Sequence, residues 1–439
     1  MKTKQFSWDK LCLVMLVVGL LLRMHYAAVV PYDVSPHDIG ILSDGENIQY
    51  GHLGYIQYLY QNRSFPDTME WQFYQPPLFH SIGAMVMSVA IRFMDVEHVM
   101  ELIQYINMLF SCVTILFGYL ILKKLRIDGV PLFVGTSYLA LCPVFYAVGT
   151  EMNNDSLMTM FMTIAVYETI CWTKDYRTSA IVKTAICIAL SMLAKTSGVL
   201  LAPAVAAVFL YCCVKEKETR KQLFYQFVLF GAICIPVGLS WVIRQRILFG
   251  VPFSYVLRMS EESNQYLGMC TLTERIGLPN MNQILCASID FGQSRNFANI
   301  WGNTILTSNF DEGLLHLSNM RQVYLCWMLT GLKYIIVIWK LGLLIKSALN
   351  ARQNVIYRLL IPIGFVVVFG SYIRFAFLYP FVCTMNVRYI VICAIFLMAG
   401  MGVEHTEMDK AKFVRTIPLY AIILLYCAIS TVLYWLCAV

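Results

Sequence analysis

Acidic side chains mark two of the polar stretches that interrupt a largely apolar chain. The first stretch reads PYDVSPHDIGILSDGENIQYGHLGYIQYLYQNRSFPD from residue 31 and carries Asp33, Asp38, Asp44 and Glu46, with His37 beside Asp38. The second reads GTEMNNDSLMTMF from residue 149 and carries Glu151, Asn153, Asn154 and Asp155. A carboxylate at the mouth of a cavity can take a proton from an attacking hydroxyl or amine as a general base, and carboxylate oxygens can hold a hard divalent cation. A polar tether, or for Asp155 the cap of the next helix, is the simpler alternative. Basic residues supply the other half of the chemistry: Lys195 in SMLAKTSGVLLAP, Arg244 and Arg246 after an apolar run, Arg374, Arg388 in PFVCTMNVRYIV, and Arg23. Each alone could snorkel to lipid head groups. Set beside acids on one face, they fit a site for a lipid phosphate or pyrophosphate, which an arginine grips with two hydrogen bonds. In FYQPPLFH, Pro76 and Pro77 stop any helix upstream and can begin one downstream, with Gln75 and His80 flanking them. No P-loop, GxSxG, HExxH or dinucleotide glycine pattern is present, against nucleotide-dependent and zinc-peptidase chemistry.

The elements that must position these residues are membrane spans. The 439 residues are 59% hydrophobic and 13% charged, where soluble chains run to about 45–50% and about 25%. That excludes a soluble enzyme, a disordered tail protein and a nucleic-acid-binding protein. Apolar runs fall at 11–31, 76–94, 102–122, 130–148, 156–172, 179–194, 198–214, 223–243, 323–346, 357–378, 387–403 and 414–437. Most match the ~20 residues that carry a helix across ~30 Å of hydrocarbon. The net charge of +7 sits in short loops around Lys2, Lys4 and Lys10, around Lys123, Lys124 and Arg126, at Lys174 and Arg177, from Lys215 to Lys221, from Lys340 to Arg352, and at Lys410 and Lys412. All of these face inward on one threading, provided 76–94 lies in or on the outer surface rather than crossing. About 11 spans follow, with loops 31–75, 149–155 and 248–322 outside, so the chemistry is extracytoplasmic. The cysteines number 15 and sit mostly in apolar segments; Cys270 and Cys286 share the long outer loop, where they could pair.

The order of these motifs resembles the GT-C superfamily of membrane glycosyltransferases, in the branch of protein O-mannosyltransferases and aminoarabinose transferases. Its first-loop Asp matches Asp33 or Asp38, its aromatic-PPL element FYQPPLFH at 73–80, its acid-plus-Asn/Asp element EMNNDSL at 151–157, its lysine break AKTSGVLLAP at 194–203, and its arginine-tyrosine pair Arg388-Tyr389. The position before the prolines, often His or Lys in relatives, is Gln75 here.

The resemblance implies an all-α polytopic GT-C-like fold, with a catalytic membrane module at 1–215 including first outer loop 31–75, and a variable module at 216–439 including loop 248–322. It implies a polyprenyl-phosphate-linked sugar donor, inversion at the anomeric carbon and a first-loop Asp as base. Asp33 or Asp38 is then the catalytic residue. His37, Glu151, Asn154 and Asp155 position the acceptor or a divalent cation, and Lys195, Arg244, Arg388 and Gln75 meet the donor phosphate. The acceptor is a protein, lipid or cell-wall glycan. Besides donor and acceptor the partners are membrane lipids, with no nucleic acid. The short loops point to a bacterial plasma membrane. The competing expectation is a transporter or flippase, which would need ionisable residues deep in mid-span and a path to both faces. The lack of an internal repeat weighs against it.

Overall fold

The computed structural model describes residues 7–33, 51–313, 315–349, 354–401 and 410–437. Helices account for nearly all of it. Strand-like pairing among the described residues is limited to isolated bridges, such as the antiparallel one between Tyr266 and Phe381. The all-α polytopic architecture expected from the apolar runs is therefore present.

Helix α1, Trp8–Val29, is 22 residues long with a mean hydropathy of 2.0 over its most apolar 18 residues, about 33 Å at 1.5 Å per residue and enough to cross the hydrocarbon. After it come α2, His52–Asn62, and α3, Leu78–Ala90. The 13 residues of α3 reach only about 20 Å. That is too short to span. Helix α4, Val96–Lys124, starts where the Asp95 carboxylate accepts from His98 N at 3.0 Å and ends on Lys123 and Lys124, charges that suit the two ends of its dipole. Next are α5, Gly129–Leu141, and α6, Pro143–Thr150, one span broken by Pro143. Then come α7, Asp155–Asp175, α8, Thr178–Ala194, α9, Ala202–Lys215, and α10, Arg220–Phe249.

The long outer loop holds two short helices, α11 at Leu272–Ile276 and α12 at Met281–Ile284, and then α13, Ile300–Phe310. The chain closes with α14, Met320–Leu349, α15, Ile361–Leu378, α16, Ile392–Ala399, and α17, Lys410–Cys437. Among the described residues eight helical segments are long and apolar enough to cross, and nine if the pair bent by 50°, Val382–Ile390 with Ile392–Ala399, is one span. The sequence suggested about 11. The difference lies with α7 and α8. Both are helical, but α7 carries Asp155, Glu168, Lys174 and Asp175, and α8 has only 17 residues. They pack on each other and on α4 and α10, so protein rather than lipid meets much of their surface.

Two ends of the bundle are chemically distinct. At one, Lys123 pairs with Asp9 at 2.7 Å, Lys174 Nζ donates to the Lys124 carbonyl at 3.0 Å, and Tyr357 Oη donates to the Leu125 carbonyl at 3.3 Å. At the other, α4 gathers two acidic segments: Gln104 Nε2 donates to the Val30 carbonyl at 2.9 Å, and Asn107, one turn on, donates to the carbonyls of Glu151 and Asn153. The stretch that begins at Asp33 and the stretch at 151–155 thus share one end, away from the lysines.

Arg23 does not snorkel. It is 0% exposed and donates to the carbonyls of Gly19 at 2.8 Å and Ala140 at 2.7 Å and to Ser111 Oγ at 3.1 Å. Gly19 permits this, since a Cβ there would stand 2.8 Å from the Ala140 oxygen. Arg23→Ala is expected to cost about 2–5 kcal/mol, from a cavity and stranded acceptors, read as a lower unfolding midpoint in detergent. A midpoint unchanged within about one degree would rule out this clamp.

Candidate functional site

A cavity of about 200 Å³ opens at the acidic end of the bundle, lined among others by His52, Gln75, Lys195, Arg388 and Tyr389. Its cations are placed by breaks in helices. Lys195 caps α8 in an extended conformation and leads into a 3₁₀ turn, Thr196–Leu201. Gly198 makes the break possible, because a Cβ there would lie 2.5 Å from the Ser191 backbone. The Lys195 ammonium meets Asp155 Oδ1 at 2.6 Å and lies 4.8 Å from the centre of the Tyr389 ring. Arg388 lies in the bent segment, where the Asn386 side chain caps a short 3₁₀ turn by accepting from Arg388 N at 2.8 Å. The Arg388 guanidinium donates to Tyr389 Oη at 3.1 Å and lies 5.1 Å from that ring's centre. One tyrosine therefore sits against both cations.

The acids form a second layer. Asp155 is in the first turn of α7 and 1% exposed, so it both suits the helix dipole and holds Lys195. Asn154 donates to the Ala194 carbonyl at 2.8 Å and, more weakly, to Gln75 Oε1 at 3.4 Å. Glu151, at the end of α6, is 2% exposed and accepts from Asn153 Nδ2 at 2.6 Å. Burial first, and then the facing Asp311 carboxyl, hold Glu151 well above the usual carboxylate range, with Arg388 opposing them. Two buried carboxyls in contact share a proton rather than both ionise.

Asp311 escaped the sequence reading. It follows α13, is 1% exposed, accepts from Asn386 Nδ2 at 2.8 Å, and has φ 51° and ψ −132°. That conformation is strained for a residue with a Cβ, and such strain gathers at functional sites. The signal was present in NFDEG, an acidic pair after a helix-length run inside the long outer loop. The loop is therefore more than a cover. Residues of α13 such as Asn303, Asn309 and Phe310 are 0% exposed, and the loop is stitched to the bent segment by Leu267 N to the Pro380 carbonyl at 2.7 Å and Val382 N to the Gln265 carbonyl at 3.0 Å.

Of the residues singled out in the sequence, the structure brings together Gln75, Glu151, Asn154, Asp155, Lys195 and Arg388. Asp33 follows α1 and is exposed. His37 and Asp38 lie outside the described residues. Arg244 is not among the residues lining the cavity: it donates to the Pro66 carbonyl at 2.9 Å and packs on the rings of Trp241 and Phe65, bracing the first outer loop against α10. Cys270 and Cys286 are separate thiols. Among the described residues no group of three or more His, Cys, Asp or Glu side chains is set to hold a metal ion.

Residues 75–241 match the family model described as dolichyl-phosphate-mannose-protein mannosyltransferase. Two solved structures share the fold. One is the archaeal oligosaccharyltransferase AglB from Archaeoglobus fulgidus, in complex with an inhibitory peptide and a dolichol-phosphate: 12% identity, TM-score 0.51, covering 97% of this chain and 56% of that one. The other is the Archaeoglobus fulgidus oligosaccharyltransferase in the apo form: 10% identity, TM-score 0.51, 98% and 56%. The chain thus spans little more than half the length of these proteins. No curated protein matches the chain in sequence. The all-α polytopic fold expected from the sequence is shared with these two structures.

Proposed function

We propose that the protein is a membrane glycosyltransferase that moves a sugar from a polyprenyl-phosphate-linked donor to an acceptor hydroxyl or amine outside the cytoplasm, inverting the anomeric carbon. The observation that carries this reading is the pair of cations, Lys195 and Arg388, in one cavity at the end of the bundle opposite the basic loops. The family match over 75–241 supports it. So does the dolichol-phosphate in the archaeal complex, whose inhibitory peptide makes a protein acceptor a natural candidate.

In this mechanism a first-loop carboxylate, Asp33 or Asp38, takes the acceptor proton as the new glycosidic bond forms. The bond from the anomeric carbon to the phosphate oxygen breaks, and polyprenyl phosphate leaves with an added negative charge. Fixed cations facing that oxygen stabilise the transition state more than the bound donor. Asp155 holds the Lys195 ammonium in place; Glu151, Asp311 and Asn386 form the wall behind Arg388. Arg388 and Asp311 belong to the 216–439 module, so both halves of the chain build the site. Arg244 fixes the loop that carries the base. No step is assigned to a metal ion.

Asp33→Asn and Asp38→Asn, made separately and assayed in proteoliposomes with a radiolabelled polyprenyl-phosphate sugar, distinguish the two bases. The variant lacking the base is expected to lose about 10²–10⁴-fold in transfer and the other to stay near wild type. Full activity in both would remove the base assignment.

A further inference from the structure

Arginine also collects where no step of the transfer uses it. A groove of about 510 Å³ runs between the end of α2 and the flank of α3, and Arg63 and Arg92 both line it. The two helices begin near the cavity, where His52 Nδ1 and His80 Nε2 lie 2.8 Å apart. Gly83 lets them pack closely, since a Cβ there would stand 2.7 Å from Ile56 Cδ1. Ser81, Met85 and Ser88 of α3 line the groove at i, i+4 and i+7, which is one helix face. Arg92 joins them from the turn after the helix. Arg63 closes α2 with φ 51° and ψ 28°, its backbone N–H donating to the Leu59 carbonyl at 3.0 Å.

Among the described residues neither guanidinium takes part in an ion pair or a side-chain hydrogen bond. Asp95, three residues past Arg92, is engaged instead with His98, at 3.0 Å to its backbone N–H and 2.7 Å to its ring. Both arginines sit at helix C-terminal ends, where the dipole favours a cation. That accounts for the charges but not for the rest of the groove. The Ser64 and Ser81 hydroxyls line it and make no hydrogen bond among the described residues. Beside them stand apolar side chains with no protein over them: Phe93 is 81% exposed, Met85 70% and Val89 59%. Water disfavours such a patch, whereas the boundary between lipid head groups and acyl chains accepts it.

We propose that this groove binds the headgroup of an anionic glycerophospholipid, with its phosphate held by Arg63 and Arg92 and its acyl chains lying along Met85, Val89 and Phe93. A guanidinium offers a planar fork of N–H donors to phosphate oxygens, and here two of them come from different helices. The serine hydroxyls donate to oxygens that the arginines leave over. Charge complementarity selects a lipid of net negative charge, and the apolar row selects a lipid over a soluble phosphate. The site is separate from the cavity of Lys195 and Arg388, since no residue lines both. A lipid bound there ties the end of α2 to α3. Phe65 passes the bracing on, because its ring lines the groove and meets the Trp241 ring of α10 at 5.3 Å.

The test uses the full chain in nanodiscs of phosphatidylcholine and two probes, phosphatidylglycerol and phosphatidylcholine, each carrying the same diazirine on an acyl chain. After illumination, peptide mass spectrometry maps the adducts. In the wild type the phosphatidylglycerol probe is expected to label residues 85–93 about tenfold more than the phosphatidylcholine probe. Arg63→Gln and Arg92→Gln should each reduce that preference and together erase it, while Arg321→Gln, at an exposed arginine of α14, leaves it unchanged. Both groove arginines are exposed, so their variants should unfold within about two degrees of wild type, and a changed labelling pattern then reports on the headgroup rather than on folding. Equal labelling by the two probes in the wild type overturns the proposal and leaves ordinary bilayer contact. A preference that survives in the double variant overturns it by placing the phosphate elsewhere. No labelling by either probe overturns it too, because another part of the chain or a protein partner then covers the groove.

Discussion

Replacing Arg388 with alanine is expected to lower sugar transfer by about 10²–10³-fold, the usual effect of removing one fixed donor from a developing anion. On the proposed transfer the loss should fall mainly on kcat, because charge grows on the phosphate as it leaves. Arg388→Lys should recover little of it. The guanidinium also donates to Tyr389 Oη, and an ammonium is a point charge without the planar fork. The assay is single-turnover transfer from a labelled polyprenyl-phosphate sugar in proteoliposomes, with unfolding midpoints measured in parallel because Arg388 is only 4% exposed. A folded alanine variant within threefold of wild type would place the phosphate away from Arg388 and from the cavity it lines.

Glu151→Gln is expected to move stability and activity in opposite directions. Burial and the facing Asp311 carboxyl raise the Glu151 pKa in the folded protein, whereas the unfolded chain releases that proton near the ordinary value, about 4.3. Between those two values the folded state binds the extra proton, so stability is highest below the ordinary value and is lost as pH rises toward the raised one, by at most about 1.4 kcal/mol per pH unit. The wild-type unfolding midpoint should therefore fall as pH rises through this window, and Glu151→Gln, which has no proton to lose, should flatten that slope and unfold at higher temperature near neutral pH. Transfer should fall by about 10–100-fold, because the pair of acids backs Arg388 through Asn386 and small misplacements at a reacting centre are costly. Stability bought at the cost of activity is the usual pattern for strained sites. Equal pH slopes in variant and wild type would show that the pair does not hold a proton.

Much of the site was visible residue by residue. Lys195 and Asp155 were each singled out, but their ion pair joins positions 40 apart, and only the packing of α7 on α8 with the Gly198 break shows it. Arg23, Arg244 and Arg388 looked alike in sequence, each basic and near the end of an apolar run. Their surroundings separate them: Arg23 clamps α1 to α5, Arg244 braces a loop, and Arg388 faces the cavity. Asp311 was passed over because it lies toward the end of the 75-residue stretch 248–322, where a lone acidic pair in NFDEG is a weak local mark. Its place opposite Glu151 exists only because α13 folds back into the bundle beside α6.

The sequence by itself determined the apolar environment, the helical class and the segments that carry the acids. Each of these is imposed locally, by hydrocarbon that rejects charge and unpaired backbone and by basic residues held on one side. The tertiary structure alone decided which cations enter the cavity, which acids share a proton, and which histidines touch. Such meetings depend on side chains from distant parts of the chain sharing one close-packed space, and no spacing along the chain encodes that packing.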